Sequence, residues 1–162
     1  MNKLRVIIVN VCRLILAVTF IISGYVKAID PLGTQYKITD YLAAIDLAGM
    51  VPQWTTLLLA VVLAAIEFAL GVFMLFAIKR LITTRLTLAF MAVMTLITVW
   101  IYIADPVKDC GCFGDAFILT NGETLLKNIL LVACAAIVAW QPACMLRLIS
   151  PSNQWLVMNY AV

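Results

Sequence analysis

Four long apolar runs constrain this chain before any motif does. They cover residues 5–29, 54–78, 86–104 and 125–146, the last reaching full length only by continuing through Gln141-Pro142. At 1.5 Å rise per residue, roughly 20 apolar residues cross the hydrocarbon of a bilayer. Hydrophobic residues make up 65% of the 162 and charged residues 12%, against roughly 45–50% and about 25% in soluble domains. A core of this size has no room for so many apolar side chains. The expected fold is therefore all-α, an integral membrane four-helix bundle occupying residues 1–148, with the lipid bilayer as its first partner.

Lysine and arginine placement predicts the orientation. Lys3 and Arg5 precede the first run, Lys79, Arg80 and Arg85 link the second to the third, and Arg147 follows the fourth. These regions are expected on the cytoplasmic side, with the amino terminus. The other two connections balance Lys27 and Lys37 against Asp30, Asp40 and Asp46, and Lys108 and Lys127 against Asp105, Asp109, Asp115 and Glu123. They are expected outside, most simply facing the periplasm from a bacterial inner membrane. Trp54, Trp100 and Tyr102 then fall at the outer ends and Trp140 at an inner end, where interfacial aromatics belong. The first run is longer than the apolar region of a signal peptide, lacks an A-x-A-like site and is followed by further spans, so it reads as an uncleaved helix. Residues 149–162 read as a cytoplasmic-side tail, either amphipathic or the truncated start of a fifth span.

In the first outward loop, Pro31 and Gly33 end the first helix and Gly49 to Pro52 mark a second stop. Between them Ile38, Tyr41, Leu42 and Ile45 recur at helical spacing, which predicts a short helix lying in the membrane interface.

Chemistry concentrates in Cys110-Gly111-Cys112, within the most acidic loop. Two cysteines this close can join only in a small strained ring, and strained, accessible disulfides are the ones that exchange with other thiols. Outside the cytoplasm such a bond can form and persist. The alternative is a bond that merely pins the loop. Thr120-Asn121-Gly122-Glu123 reads as a capping box opening the fourth helix. Cys12, Cys134 and Cys144 fall in or beside apolar runs and read as small hydrophobes. With no histidine in the chain, a metal site is not expected. A formal charge of only +3 without a basic block argues against nucleic acid.

Glu67 lies near the middle of the second run, where insertion of an acid costs about 2.5–3.5 kcal/mol. It should face the bundle interior, paired or neutral. Counting along antiparallel helices puts Arg13 roughly 6 Å from it in depth, making Arg13 the expected partner. The pair is either a quinone- or proton-handling site or a structural ion pair. Ser23-Gly24 gives the first helix a small surface for close approach.

Together these residues resemble the DoxX-like and MauE-like family of small four-helix membrane proteins. The match lies in Arg13, Ser23-Gly24, Lys27 and Asp30-Pro31, in Glu67 with Gly71, in Asp109-Cys110-Gly111-Cys112-Phe113-Gly114 and in Leu119-Thr120-Asn121. It covers most of the chain up to about Trp140. The resemblance implies extracytoplasmic redox work: thiosulfate oxidation through quinone for some members, maturation of a disulfide-rich periplasmic enzyme for MauE-like ones. The arrangement is also similar to vitamin K epoxide reductase-type enzymes, but those have Cys-x-x-Cys and a second outward cysteine pair. This chain has neither, which departs from a self-contained electron relay.

The expectation is a membrane-embedded thiol/disulfide redox protein. Cys110 and Cys112 are its catalytic pair, a thioredoxin-like or substrate protein its extracytoplasmic partner, quinone its cofactor and Glu67 with Arg13 the cofactor residues. The alternatives are a non-catalytic accessory subunit that helps an extracytoplasmic redox enzyme mature, and a small-molecule permease working through Glu67.

Overall fold

Inside a bilayer every backbone polar group must be satisfied within the protein, and helices do this segment by segment. The computed structural model, which describes residues 3–47, 49–104, 120–146 and 148, shows that solution. Helix α1 covers Lys3–Ile29, α2 Pro31–Ala44, α3 Gln53–Phe76, α4 Arg80–Ala104 and α5 Asn121–Trp140, and a 3-10 turn follows at Pro142–Cys144. Of these, α1, α3, α4 and α5 are long and apolar enough to cross a membrane. They alternate in direction along the chain, so α1 and α4 finish, and α3 and α5 start, at the end that carries α2.

The burial pattern is inverted relative to a soluble bundle. Asn10, Arg13, Ser23, Lys27, Glu67, Thr98 and Asn128 are buried, while Leu4, Val18, Leu58, Leu96 and Leu130 are exposed. Such surfaces are stable only against lipid. Thr87 Oγ1 is buried without a hydrogen-bond partner among the described residues, but other helical threonines donate to carbonyls one turn back, as Thr84 does to Arg80, Thr95 to Met91 and Thr98 to Met94.

Local signals set the helix ends. Asp30 caps α2: its Oδ1 accepts from Gly33 N at 2.9 Å, and Pro31 sits in the first turn, where its missing N–H costs nothing. The helix expected around residues 38–45 is thus present but starts earlier, because Pro31 and Gly33 open it rather than merely closing α1. Thr120 caps α5, accepting from Glu123 N at 3.3 Å while its own N donates to Glu123 Oε2 at 3.0 Å, the expected capping box. Only residues 77–79 link α3 to α4, with Ala77 and Lys79 in left-handed conformations. The link is far shorter than the charge pattern suggested, and Arg85 belongs to α4. Lys27, likewise, is a buried residue of α1 rather than of the outward loop, and Lys127 belongs to α5.

The closest packing joins α1 to α3. A Cβ on Gly24 would lie 2.5 Å from Phe68 N and 2.9 Å from Ala64 O, and one on Gly71 2.7 Å from Ile21 N. Backbone meets backbone at two levels, so the antiparallel register is fixed. Around it Val9, Leu16, Phe20, Met74, Met91, Leu131 and Ala135 form the core.

Gly24→Ala should cost about 1–3 kcal/mol, since the contacting atoms are backbone and cannot rotate away. The check is the thermal unfolding midpoint in detergent, with Gly49→Ala, whose Cβ would meet nothing within 4 Å, as the neutral control.

Candidate functional site

The glycine register brings Ser23 and Lys27 beside Glu67. Residues 23 and 27 are one turn apart and share a face of α1. Ser23 Oγ donates to Glu67 Oε2 at 2.7 Å, and Lys27 Nζ donates to the same Oε2 at 2.8 Å and to Ser23 Oγ at 2.7 Å. The ion-paired side chains are only 5% and 8% exposed, so the pair is hidden from lipid. Both bonds to Glu67 fall on one carboxylate oxygen. Glu67 Oε1 has no hydrogen-bond partner among the described residues.

Glu67 also lines a cavity of about 360 Å³ bounded by all five helices. Phe20 of α1 and Phe90 of α4, with ring centroids 5.5 Å apart, lie at one end of its lining. Thr34, Ile38 and Tyr41 of α2 line the other. Leu59 of α3 and Ile97 of α4 line it too, and are 53% and 41% exposed on the outer face of the bundle. A second polar station stands on the α4–α5 wall. Asn128 Nδ2 donates to Thr98 Oγ1 at 2.8 Å, and Thr98 donates to Met94 O at 2.8 Å. The remaining lining is mostly apolar, with Thr19, Thr34, Lys37, Tyr41 and Lys127 as its other polar residues.

Arg13 does not meet Glu67. It precedes Ser23 by roughly 15 Å along α1, because the Gly24 and Gly71 contacts set a register that the depth count could not contain. Instead it donates to Leu146 O. Asn10 Nδ2 donates to Cys144 O at 3.1 Å and Asn10 Oδ1 accepts from Leu146 N at 3.0 Å. Arg80 NH1 donates to Ala143 O at 3.2 Å and Met145 O at 3.0 Å. The arginine expected at the site is therefore part of a clamp on the carbonyls of Ala143, Cys144, Met145 and Leu146, beyond the end of α5. It is not among the residues lining the cavity.

Cys110 and Cys112 lie outside the described residues, as does Arg147. The chain leaves α4 after Ala104 and rejoins α5 at Asn121, both at the end of the bundle that holds α2. Cys12, Cys134 and Cys144 are free thiols. Cys12 lies in the core, and Cys134 packs against that core. Sequence reasoning missed Lys27 as the partner and missed the Asn128–Thr98 station. The i, i+4 spacing of Ser23 and Lys27 next to Gly24 was the signal that would have found the first. Nothing local announces the second.

These features define a four-span membrane protein with a buried Ser–Lys–Glu cluster beside a largely apolar chamber. The chain belongs to the family of the methylamine utilisation protein MauE, whose sequence pattern matches residues 5–141. This supports the MauE-like side of the resemblance and does not extend to the DoxX-like one. Comparison with curated proteins and with solved structures returned no match.

Removing one partner of a buried pair leaves the other charge uncompensated, at about 3–5 kcal/mol, whereas apolar replacement of both is often neutral. Lys27→Met should accordingly lower the unfolding midpoint sharply, and Lys27→Met with Glu67→Met should recover most of it. Equal loss in single and double variants would contradict a mainly electrostatic role.

Proposed function

We propose that this protein is an integral membrane accessory factor that helps an extracytoplasmic redox enzyme of methylamine utilisation reach its mature form. One observation carries the reading: the MauE match runs from residue 5 to residue 141 and so takes in all four candidate spans. The amino terminus faces the cytoplasm in this reading and the α2 end faces outward. The helical positions of Lys27 and Lys127 support that orientation. Without them the connection after α1 carries Lys37 against Asp30, Asp40 and Asp46, and the segment after α4 carries Lys108 against Asp105, Asp109 and Asp115. The opposite end has Lys79 in its link and Lys3, Arg5, Arg80 and Arg85 in the first two turns of α1 and α4, with no carboxylate among them. The α2 helix then lies at the outer membrane interface.

A second reading is that the factor is itself a thiol–disulfide exchanger. It is favoured by the position of Cys110-Gly111-Cys112 in the sequence between α4 and α5, which the proposed orientation puts on the oxidising side. A Cys110–Cys112 disulfide would accept two electrons from a partner dithiol. A partner thiolate attacks one sulfur, the mixed disulfide is resolved by the partner's second thiol, and both cysteines leave as thiols. A thioredoxin-like protein, or the maturing enzyme itself, would be that partner.

In a methylamine-using bacterium that carries this gene, its deletion should abolish assembly of the mature extracytoplasmic enzyme, judged by native gels and disulfide mass-tagging of that enzyme. Intact assembly without the gene would end the accessory reading. Cys110→Ser and Cys112→Ser separate the two: a scaffold keeps most of the matured enzyme, whereas an exchanger loses it and leaves its enzyme in reduced form.

A further inference from the structure

We propose that the chamber bounded by the five helices seats a single-chain amphiphile with an anionic head, the chemistry of a fatty carboxylate or an alkyl phosphate. The head sits at the α2 end and the chain lies below it. The inference does not depend on the maturation reading. Charge, depth and volume each lead to it.

Lys27 of α1, Lys37 of α2 and Lys127 of α5 all line the chamber, against Glu67 as the one carboxylate among the described residues. Glu67 is already engaged, since Lys27 Nζ and Ser23 Oγ donate to its Oε2 at 2.8 and 2.7 Å. Lys37 and Lys127 are half-buried and reach the chamber from different helices. Lysines that only snorkelled to the lipid headgroups would not line an interior space. An excess of ammonium groups between low-dielectric walls focuses a field that draws in an anion. Each ammonium carries three donors, so it can hold a ligand oxygen beside the interactions that both lysines have within the protein.

Polar and apolar groups are ordered along the bundle. Helices α1 and α4 both run towards the α2 end, and Phe20 meets Phe90 at 5.5 Å between ring centroids. Counting upward from that contact, Lys27 and Thr98 rise by roughly 10–12 Å. Asn128 donates to Thr98 at 2.8 Å, which sets Lys127, its neighbour in α5, at the same level. Above them Thr34, Lys37, Ile38 and Tyr41 present one face of α2. Below them lie Phe20, Phe90, Met91, Met94 and Leu131, with Thr19, whose hydroxyl donates to Ile15 O at 2.8 Å. Cations therefore gather at one end, and the other is apolar. A neutral ring or an alkane leaves the upper end unmatched, and a bare inorganic anion leaves the lower end empty.

The volume of about 360 Å³ lies at the small end of the roughly 300–1,000 Å³ range of binding cavities. That takes one chain with a compact head, and not the two chains of a phospholipid. The apolar depth of roughly 10–12 Å below the lysines suits a chain of medium length. Such a chain gains little by leaving a bilayer that is equally apolar, so selectivity rests on the head and on Lys37 and Lys127.

The test uses the full-length protein in phosphatidylcholine nanodiscs, with decanoate and decyl phosphate as probes in mildly alkaline buffer, where both heads are charged. Binding is followed by isothermal titration calorimetry, with uptake by empty nanodiscs subtracted. Saturable binding of at least one probe at one site per chain is expected, and the tighter of the two identifies the head as carboxylate or phosphate. Decanol and decyltrimethylammonium should not displace it. Lys37→Gln and Lys127→Gln should each weaken binding about tenfold, the loss of one charge-assisted hydrogen bond, while Lys127→Arg and the distant Lys3→Gln keep the parental affinity. Met94→Trp, which fills the apolar end, should abolish it. Non-saturable uptake of both probes, equal displacement by decanol or by the cationic amphiphile, or parental affinity in both glutamine variants would overturn the proposal. The preference among heads is read on the unaltered protein, so it decides the matter even where a variant fails to fold. The readout is binding and not enzyme maturation, so failure here is distinct from failure of the accessory reading.

Discussion

Backbone contact between α1 and α3 at Gly24 and Gly71 determines almost everything else in this bundle. In lipid there is no hydrophobic driving force to press helices together, so association relies on close packing and on polar contacts between helices. The two glycines supply the first, at two levels, and so fix the register. The register in turn supplies the second, since it is what stacks Ser23 and Lys27 on Glu67. A shift of one helical turn would leave a lysine and a glutamate buried separately, each at several times the cost of the pair. Packing and electrostatics therefore select the same alignment, and neither would specify it as sharply alone.

Much of this was legible in the sequence, and the failures share a cause. The spans, the Thr120–Glu123 capping box, the inward orientation of Glu67 and the close approach at Ser23-Gly24 all follow from local pattern. So does the presence of a helix after Asp30, though Pro31 and Gly33 proved to be its opening turn. What local pattern lacks is the offset between antiparallel helices. Arg13 seemed the natural counter-charge because its depth was counted from the ends of apolar runs, and such runs do not begin at equal depths. Lys27 was overlooked for a related reason: its place near the end of a run suggested a loop, whereas α1 continues to Ile29 and buries it. The Asn128–Thr98 station and the chamber depend on where α4 and α5 lean relative to α3, which no short stretch of residues encodes.

The polar interior divides into two halves with different tasks. At one end Asn10, Arg13 and Arg80 donate to the carbonyls that follow α5 and so close the structure, while Arg13 Nε stays buried without a hydrogen-bond partner among the described residues. Nearer the α2 end the polar groups are held in place by one another, with the bonds from Ser23 and Lys27 both taken by one of the two Glu67 oxygens.

The link between α3 and α4 gives the chamber a mechanical bias. Residues 77–79 hold the lower ends of the two helices together, and left-handed Ala77 and Lys79 leave this joint little freedom to lengthen. Spreading the two helices is then a rotation about the joint, like the arms of tongs. A splay of about 5° would move Leu59, some 25 Å along α3, by roughly 2 Å while hardly disturbing the core near Met74. Widening of the chamber and integrity of the core are thereby mechanically separated.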